Sequence, residues 1–168
     1  MKRQTTMKLF IFIISIAIMS SSFGQSSDYK KMLSKYYNDF PTISIDNALT
    51  HVKKGDALFL DVRRKDEFLV SHIKSAKRMN LDGSNISDIK NVDKDKLIIV
   101  YCSVGARSQN FGEILQKKGY TNVKNIYGGL FYWANEKYPM VDLKENKTAR
   151  IHGYNAEWGK WVKGEVVY

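Results

Sequence analysis

The sequence contains a single cysteine, Cys102, in a short turn that could hold a reactive sulfur. An apolar run, Leu97 to Tyr101, precedes it, and the residues after Gly105 have helical periodicity. Because glycine adopts positive φ easily, the backbone amides of the turn can point into one concavity, where a helix N-terminus and Arg107 add positive charge. These features favour the thiolate, which is the nucleophilic form of cysteine. We therefore predict that Cys102 is a catalytic nucleophile.

The alternative for Cys102 is an inert core residue, since cysteine is among the most frequently buried residue types. An inert cysteine would not need the Gly and Arg that follow it, so the functional interpretation is favoured. A lone cysteine cannot form a disulfide within the chain. One cysteine and two isolated histidines, His51 and His152, also do not make a credible metal site, and we expect neither a metal nor a cofactor.

A second apolar run, Leu58 to Leu60, ends in the polar residues Asp61 and Arg63. In an open parallel sheet, functional groups gather outside the carboxyl ends of the strands. We therefore expect Asp61 and Arg63 to lie on the same rim as Cys102.

Strand and helix patterns alternate along the chain, which predicts an α/β fold with a parallel sheet and helices on both faces. Asp46 is the predicted N-cap of the first helix of this pattern, and Gly55 ends it. The predicted strands are 42–45, 57–60, 76–81, 97–101 and 122–126. The predicted helices are 46–55, 65–71, 85–89 and 106–118, with another beginning at Leu130.

Residues 1–24 have the pattern of a secretory signal peptide, with basic residues, an apolar core from Leu9 to Met19 and small residues before Gly24. The core is shorter than the roughly 20 residues that a spanning helix needs. We expect cleavage after Gly24 and a periplasmic or secreted protein. Association with a membrane is expected only if the signal stays uncleaved and acts as an anchor.

The remaining chain divides into a lead-in at 25–41, a domain at 42–142 and an aromatic extension at 143–168. The extension contains Trp158 and Trp161, and we expect it to pack back on the domain rather than to form a binding site. The formal net charge is +10, but the lysines are scattered and no basic stripe interleaves with aromatic residues. This pattern excludes nucleic acid as the expected partner. We expect a monomer.

Four segments in order carry a resemblance to a known family: "DVRRKDEF" at 61–68, "SHIKSAKRMNL" at 71–81, "YCSVGARS" at 101–108 and "NIYGGLFYW" at 125–133. Together they resemble the rhodanese (sulfurtransferase) domain family. The resemblance implies a five-stranded parallel sheet and a catalytic cysteine that carries sulfane sulfur as a persulfide. It also implies that the residues of the loop cradle the sulfur and bind substrate: Ser103, Val104, Gly105, Ala106 and Arg107. Within this loop, the resemblance implies that Arg107 stabilises the anionic sulfur or the substrate. Asp61, Arg63 and Ser108 are then expected to support the loop, and His72 to have a packing and hydrogen-bonding role.

The expected function is transfer of sulfane sulfur from a donor, thiosulfate or a persulfide or polysulfide, to a thiol or cyanide acceptor. The Cys-x4-Arg spacing is one residue shorter than the Cys-x5-Arg of related cysteine phosphatases, so phosphatase activity is a minor alternative. A non-catalytic binding or redox-sensing module is the other alternative. The sequence departs from the family at Ser71, at Lys74 and Ser75, and at Val104, where thiosulfate-preferring members often carry a basic side chain. The donor therefore stays open.

Overall fold

The central sheet of the computed structural model, which describes residues 26–168, has five parallel strands in the order β1-β5-β4-β2-β3. The predicted signal peptide lies outside the described residues. The strands are β1 (Thr42–Ile43), β2 (Leu58–Asp61), β3 (Lys77–Arg78), β4 (Ile98–Tyr101) and β5 (Val123–Ile126). The prediction of an α/β fold with a five-stranded parallel sheet is confirmed. Asp61 pairs with Tyr101 at the carboxyl ends of β2 and β4, so the segments that follow both strands start at one edge of the sheet.

Helices cover both faces of the sheet, as predicted, and each face has its own hydrophobic core. On β4, Ile98 and Val100 face one core, while Ile99 and Tyr101 face the other. The helices are α1 (Ser27–Leu33), α2 (Ile45–Lys54), α3 (Lys65–Val70), α4 (Ala106–Lys117) and α5 (Gly129–Asn135), with a 3₁₀ turn at Ile86–Ile89. Residues of α4 pack in the first core and residues of α1, α2 and α5 in the second. Each fully buried aliphatic side chain contributes about 2 kcal/mol, so both layers hold β4 and the turn after it in place. None of the helices in residues 26–168 is long and apolar enough to cross a membrane.

The start of α2 differs from the prediction, because Ser44 and not Asp46 is its N-cap. The Ser44 hydroxyl accepts a hydrogen bond from the Asn47 amide at 3.3 Å, and the helix begins at Ile45. Serine and aspartate can both cap a helix. Because the Ile45 side chain is buried, Ile45 is part of the first turn, and Ser44 before it becomes the N-cap. Asp46 lies in that first turn, where its charge suits the helix dipole.

The predicted strand 76–81 is much shorter in the structure, where only Lys77 and Arg78 pair with β2. It is an edge strand, so one neighbour alone determines its length. In the turn before it, Ser75 adopts a φ of +63°, a left-handed conformation that glycine tolerates best.

The chain after the sheet forms two small strand pairs that the sequence analysis did not predict. An antiparallel pair joins β6 (Met140–Val141) and β7 (Lys147–Thr148), and a parallel pair joins β8 (Arg150–His152) and β9 (Glu165–Val167). The short helix α6 (Ala156–Gly159) lies between β8 and β9. Ile151 is fully buried, and the Trp161 ring packs edge-on against Tyr29 at 5.7 Å between centroids. The aromatic extension therefore contacts the lead-in and the second core.

Candidate active site

Cys102 lies directly after β4, at the start of a loop that ends in α4. Strand β4 is buried on both sides and flanked by β2 and β5, which fixes where the loop begins. Gly105 has a φ of +100° and is the N-cap of α4, so the chain turns sharply from strand into helix. A residue with a β-carbon would be strained at this φ. The loop conformation thus follows from one glycine between a buried strand and a helix.

The Cys102 sulfur faces the amide side of this loop. The backbone N–H of Gly105 donates to Sγ at 3.1 Å, and Sγ lies close to the N-terminus of α4. The carbonyls of Cys102 and Ser103 accept instead from the amides of Leu130 and Phe131, at 2.8 and 2.9 Å. Since an amide donor and a helix N-terminus both stabilise negative charge, the site can hold a sulfur anion. Cys102 itself is only 1% exposed.

The Arg107 guanidinium forms a bidentate ion pair with Glu67 of α3. Nη1 and Nη2 donate to the two carboxylate oxygens at 2.8 Å each, and Nη2 also donates to the Ser103 hydroxyl at 2.8 Å. The Ser103 hydroxyl in turn donates to Glu67 at 2.8 Å. These three side chains form the Glu67 network, which ties the Cys102 loop to α3.

The protonation states of the Glu67 network follow from these contacts. Burial alone would raise the pKa of Glu67, but the hydrogen bonds and positive charge of Arg107 lower it from 4.5 to about 2. Burial would lower the pKa of Arg107, but Glu67 and the charge of the Cys102 sulfur raise it above its ordinary value. Both side chains are therefore charged across the physiological range.

Two tyrosines of the lead-in, neither of them predicted from the sequence, bond to the loop or to the turn at Gly128 beside it. The Tyr37 hydroxyl donates to the Val104 carbonyl at 2.9 Å and accepts from the Gly128 amide at 2.7 Å. The Tyr29 hydroxyl donates to the Gly128 carbonyl at 3.1 Å. Burial raises the pKa of both phenols, so they stay neutral donors. A β-carbon on Gly105 would lie 1.8 Å from the Tyr37 oxygen, which is a second reason for glycine there.

Ser108, a predicted supporting residue, lies in the first turn of α4 and contacts Asn125 of β5. Its hydroxyl donates to the Asn125 side-chain oxygen at 2.8 Å. The Asn125 amide donates to the Gly105 carbonyl at 2.9 Å, and all these groups are buried. Asn125 therefore links the loop to the neighbouring strand. It belongs to the "NIYGGLFYW" segment, but nothing in its residue type identified this contact.

Asp61 and Arg63 form a fully buried ion pair near this edge of the sheet, without contacting the Cys102 sulfur. The Arg63 Nη2 donates to Asp61 at 2.7 Å and also to the Ser71 carbonyl just after α3. Burial would lower the pKa of Arg63, but the charge of Asp61 outweighs it and raises that pKa. The pair fastens the end of β2 to the end of α3, the helix that carries Glu67. Nearby, the His72 ring stacks on Phe68 at 4.0 Å, in a packing position.

A pocket of about 160 Å³ opens beside Cys102. Its lining contains most of the predicted binding residues: Cys102, Ser103, Val104, Ala106 and Arg107. Gly105 does not line it and acts through its amide instead. Three aromatic residues that the sequence analysis did not select complete the wall: Tyr36, Tyr154 and Trp158. The extension was expected to pack and not to bind, but it both packs on the domain and lines this pocket.

The sequence model of the Rhodanese-like domain family matches residues 44–136, more than half of the chain. The chain belongs to the rhodanese-like domain family. It is similar to thiosulfate sulfurtransferase GlpE of Coxiella burnetii, with 31% identity over 108 residues that cover 64% of this chain and 98% of that protein. Similarity to such a relative supports rhodanese-type sulfur transfer.

Two further proteins are similar to this chain. The tRNA uridine(34) hydroxylase of Hamiltonella defensa is 32% identical over 121 residues, which are 69% of this chain but 34% of the hydroxylase. The chain thus spans about a third of that relative's length. A solved structure of a rhodanese-related protein from Thermoplasma volcanium matches with a TM-score of 0.53 and 26% identity, and covers 61% of this chain and 98% of that one.

The rhodanese-like match does not include every residue of the site. Glu67, the Cys102 loop and Asn125 lie within residues 44–136, whereas the tyrosines of the lead-in precede the match and the aromatic residues of the extension follow it. Part of the site is therefore built from segments that flank the family match.

Proposed function

We propose that this protein is a sulfurtransferase that carries sulfane sulfur as a persulfide on Cys102. The observation that carries the proposal is the hydrogen bond from the Gly105 amide to the Cys102 sulfur, within a Cys-x4-Arg loop at the N-terminus of α4. This arrangement stabilises negative charge on sulfur, and both the thiolate and the persulfide anion carry such a charge. Similarity to thiosulfate sulfurtransferase GlpE supports the same assignment.

The reaction has two displacement steps. In the first, the Cys102 thiolate attacks the sulfane sulfur of the donor; a new S–S bond forms, and the donor's own bond to that sulfur breaks, so that the leaving group keeps the electron pair. In the second, a thiol or cyanide attacks the outer sulfur of the persulfide, and the Cys102 thiolate is released. Thiosulfate, persulfides and polysulfides all carry a sulfane sulfur, and each is a candidate donor.

Steady-state kinetics with thiosulfate or polysulfide as donor and cyanide as acceptor test the proposal. We expect the parallel double-reciprocal lines of a double displacement, because the enzyme reacts with one substrate before the other. Cys102→Ser should abolish turnover while its far-ultraviolet circular dichroism stays that of the wild type. A folded wild type that turns over none of these donors would contradict the proposal. Phosphate-ester turnover that is lost in Cys102→Ser would indicate a phosphatase instead.

We also propose that the protein acts in the periplasm or as a secreted protein, since residues 1–24 have the pattern of a signal peptide. N-terminal sequencing of the protein recovered from the periplasm or medium should begin at Gln25. An unprocessed chain that stays in the cytoplasm would contradict this proposal.

A further inference from the structure

Three aromatic side chains, Tyr36, Tyr154 and Trp158, line the pocket beside Cys102 and are called here the aromatic mouth. Tyr36 follows α1 and faces Trp158, with 5.7 Å between the ring centroids. Tyr154 and Trp158 belong to the extension. All three lie outside residues 44–136, so the rhodanese-like match does not account for them.

The position of Tyr154 is fixed by contacts on several sides. Its backbone has a φ of +67°, and its amide donates to Nδ1 of His152, the last residue of β8, at 2.9 Å. Its ring lies against two guanidinium groups, 4.6 Å from Arg64 and 5.0 Å from Arg107. Cation–π contacts of this kind hold a ring in place. The extension therefore presents Tyr154 to the active site in a defined orientation.

The charge and size of the pocket indicate what it can select. Arg107 is the charged residue among those lining it, and the Glu67 carboxylate compensates that charge with two hydrogen bonds. The Ser103 hydroxyl, which also lines the pocket, is already bonded to Glu67 and Arg107. The remaining walls are Val104, Ala106 and the aromatic mouth, which leaves little to offset the desolvation of a dianion. The volume of about 160 Å³ is also below the roughly 300 Å³ at which drug-sized ligands begin to fit.

We propose that the aromatic mouth is a specificity element that favours sulfane donors bearing a small apolar organic group, R–S–SH, over inorganic thiosulfate. This inference rests on the proposed sulfurtransferase function. In the step concerned, the Cys102 thiolate attacks the terminal sulfur of R–S–SH and forms a new S–S bond. The donor's S–S bond breaks, and its electron pair leaves with the organic thiolate R–S⁻. The organic group contacts the rings of the mouth during this attack.

The test compares benzyl hydropersulfide with thiosulfate as donor, with cyanide as acceptor in both, and measures thiocyanate after subtraction of the uncatalysed rate. For wild type, the ratio of kcat/KM for benzyl hydropersulfide to that for thiosulfate should exceed one. In Trp158→Ala and in Tyr36→Ala the ratio should fall about tenfold, the loss expected for one aromatic contact. Trp158→Phe should recover most of it. The two alanine variants come from separate segments, so misfolding of one leaves the other as a test.

Tyr168→Ala is the matched control, because it removes an exposed aromatic ring from the same extension outside the pocket lining. Both kcat/KM values should stay within twofold of wild type in this variant. An active wild type whose ratio is at or below one, or whose ratio is unchanged in the mouth variants, would overturn the specificity role and leave the proposed function standing. An equal fall in Tyr168→Ala would also overturn it. A wild type that turns over neither donor would overturn the proposed function itself.

Discussion

Replacement of Glu67 by glutamine should destabilise the protein in a pH-dependent way. The Glu67 side chain is fully buried, and its pairing with Arg107 lowers its pKa from 4.5 to about 2. Since each tenfold change in proton affinity is worth about 1.4 kcal/mol, the ionised carboxylate stabilises the folded state by about 3 kcal/mol at neutral pH. The folded pKa lies below the unfolded one, so this stabilisation is complete above about pH 4.5 and is lost as the pH falls toward 2. Glu67→Gln, which mimics the protonated acid, should lack it at every pH.

Urea unfolding of both proteins at pH 7, 5, 4 and 3 measures this difference. We expect a gap of about 3 kcal/mol at pH 7 and 5, and a steadily smaller gap at pH 4 and 3. Asp66→Asn is the matched control, because Asp66 is the neighbouring carboxylate on α3 but is 55% exposed and pairs at the surface with Arg64. Its loss should cost no more than about 1 kcal/mol. A gap that does not change with pH, or one below about 1 kcal/mol at pH 7, would refute the assigned role of Glu67.

Three other substitutions test the scaffold of the loop. Gly105→Ala forces a β-carbon to within 1.8 Å of the Tyr37 hydroxyl at a φ of +100°, so we expect loss of turnover and a lower melting temperature by differential scanning fluorimetry. Asn125→Ala removes two buried hydrogen bonds, the one donated to the Gly105 carbonyl at 2.9 Å and the one accepted from the Ser108 hydroxyl at 2.8 Å, which should cost about 1–3 kcal/mol in urea unfolding. Arg63→Met leaves Asp61 buried and unpaired, which should cost about 3–5 kcal/mol. Each prediction is wrong if the variant matches wild type in the stated measurement.

The part of the site that the sequence could predict is the part built from neighbouring residues. Around Cys102, the sequence places an apolar run, a glycine and a helical pattern next to one another. The bounds of the strand and the helix that flank the loop could therefore be predicted with errors of one residue at most. The five parallel strands were predictable for the same reason. The length of the edge strand β3 and the N-cap of α2 were not predictable, because pairing with one neighbour determines the first and burial of Ile45 determines the second.

The partners of the loop depend on tertiary contacts, which local pattern does not encode. Glu67 stands in the "DVRRKDEF" segment that carries the family resemblance. Its pairing with Arg107, however, joins residues 40 positions apart, and no local pattern predicts such a pairing. Tyr37 approaches the loop from 67 residues away, and its neighbours in sequence do not distinguish it from the other tyrosines. The strands of the extension have two or three residues, which is too short to show an alternation of apolar and polar side chains. No periodic pattern in the sequence therefore indicated the aromatic mouth.

The central claim, that Cys102 carries sulfane sulfur, is tested most directly by intact-mass and peptide mass spectrometry of the protein after exposure to thiosulfate and, separately, to a persulfide donor. We predict an added mass of about 32 Da, one sulfur atom, on the peptide that contains Cys102, and its loss on addition of cyanide. The Cys102→Ser protein should show no such addition. A folded wild type that gains no sulfur from either donor, or whose added mass does not leave with cyanide, would contradict the account.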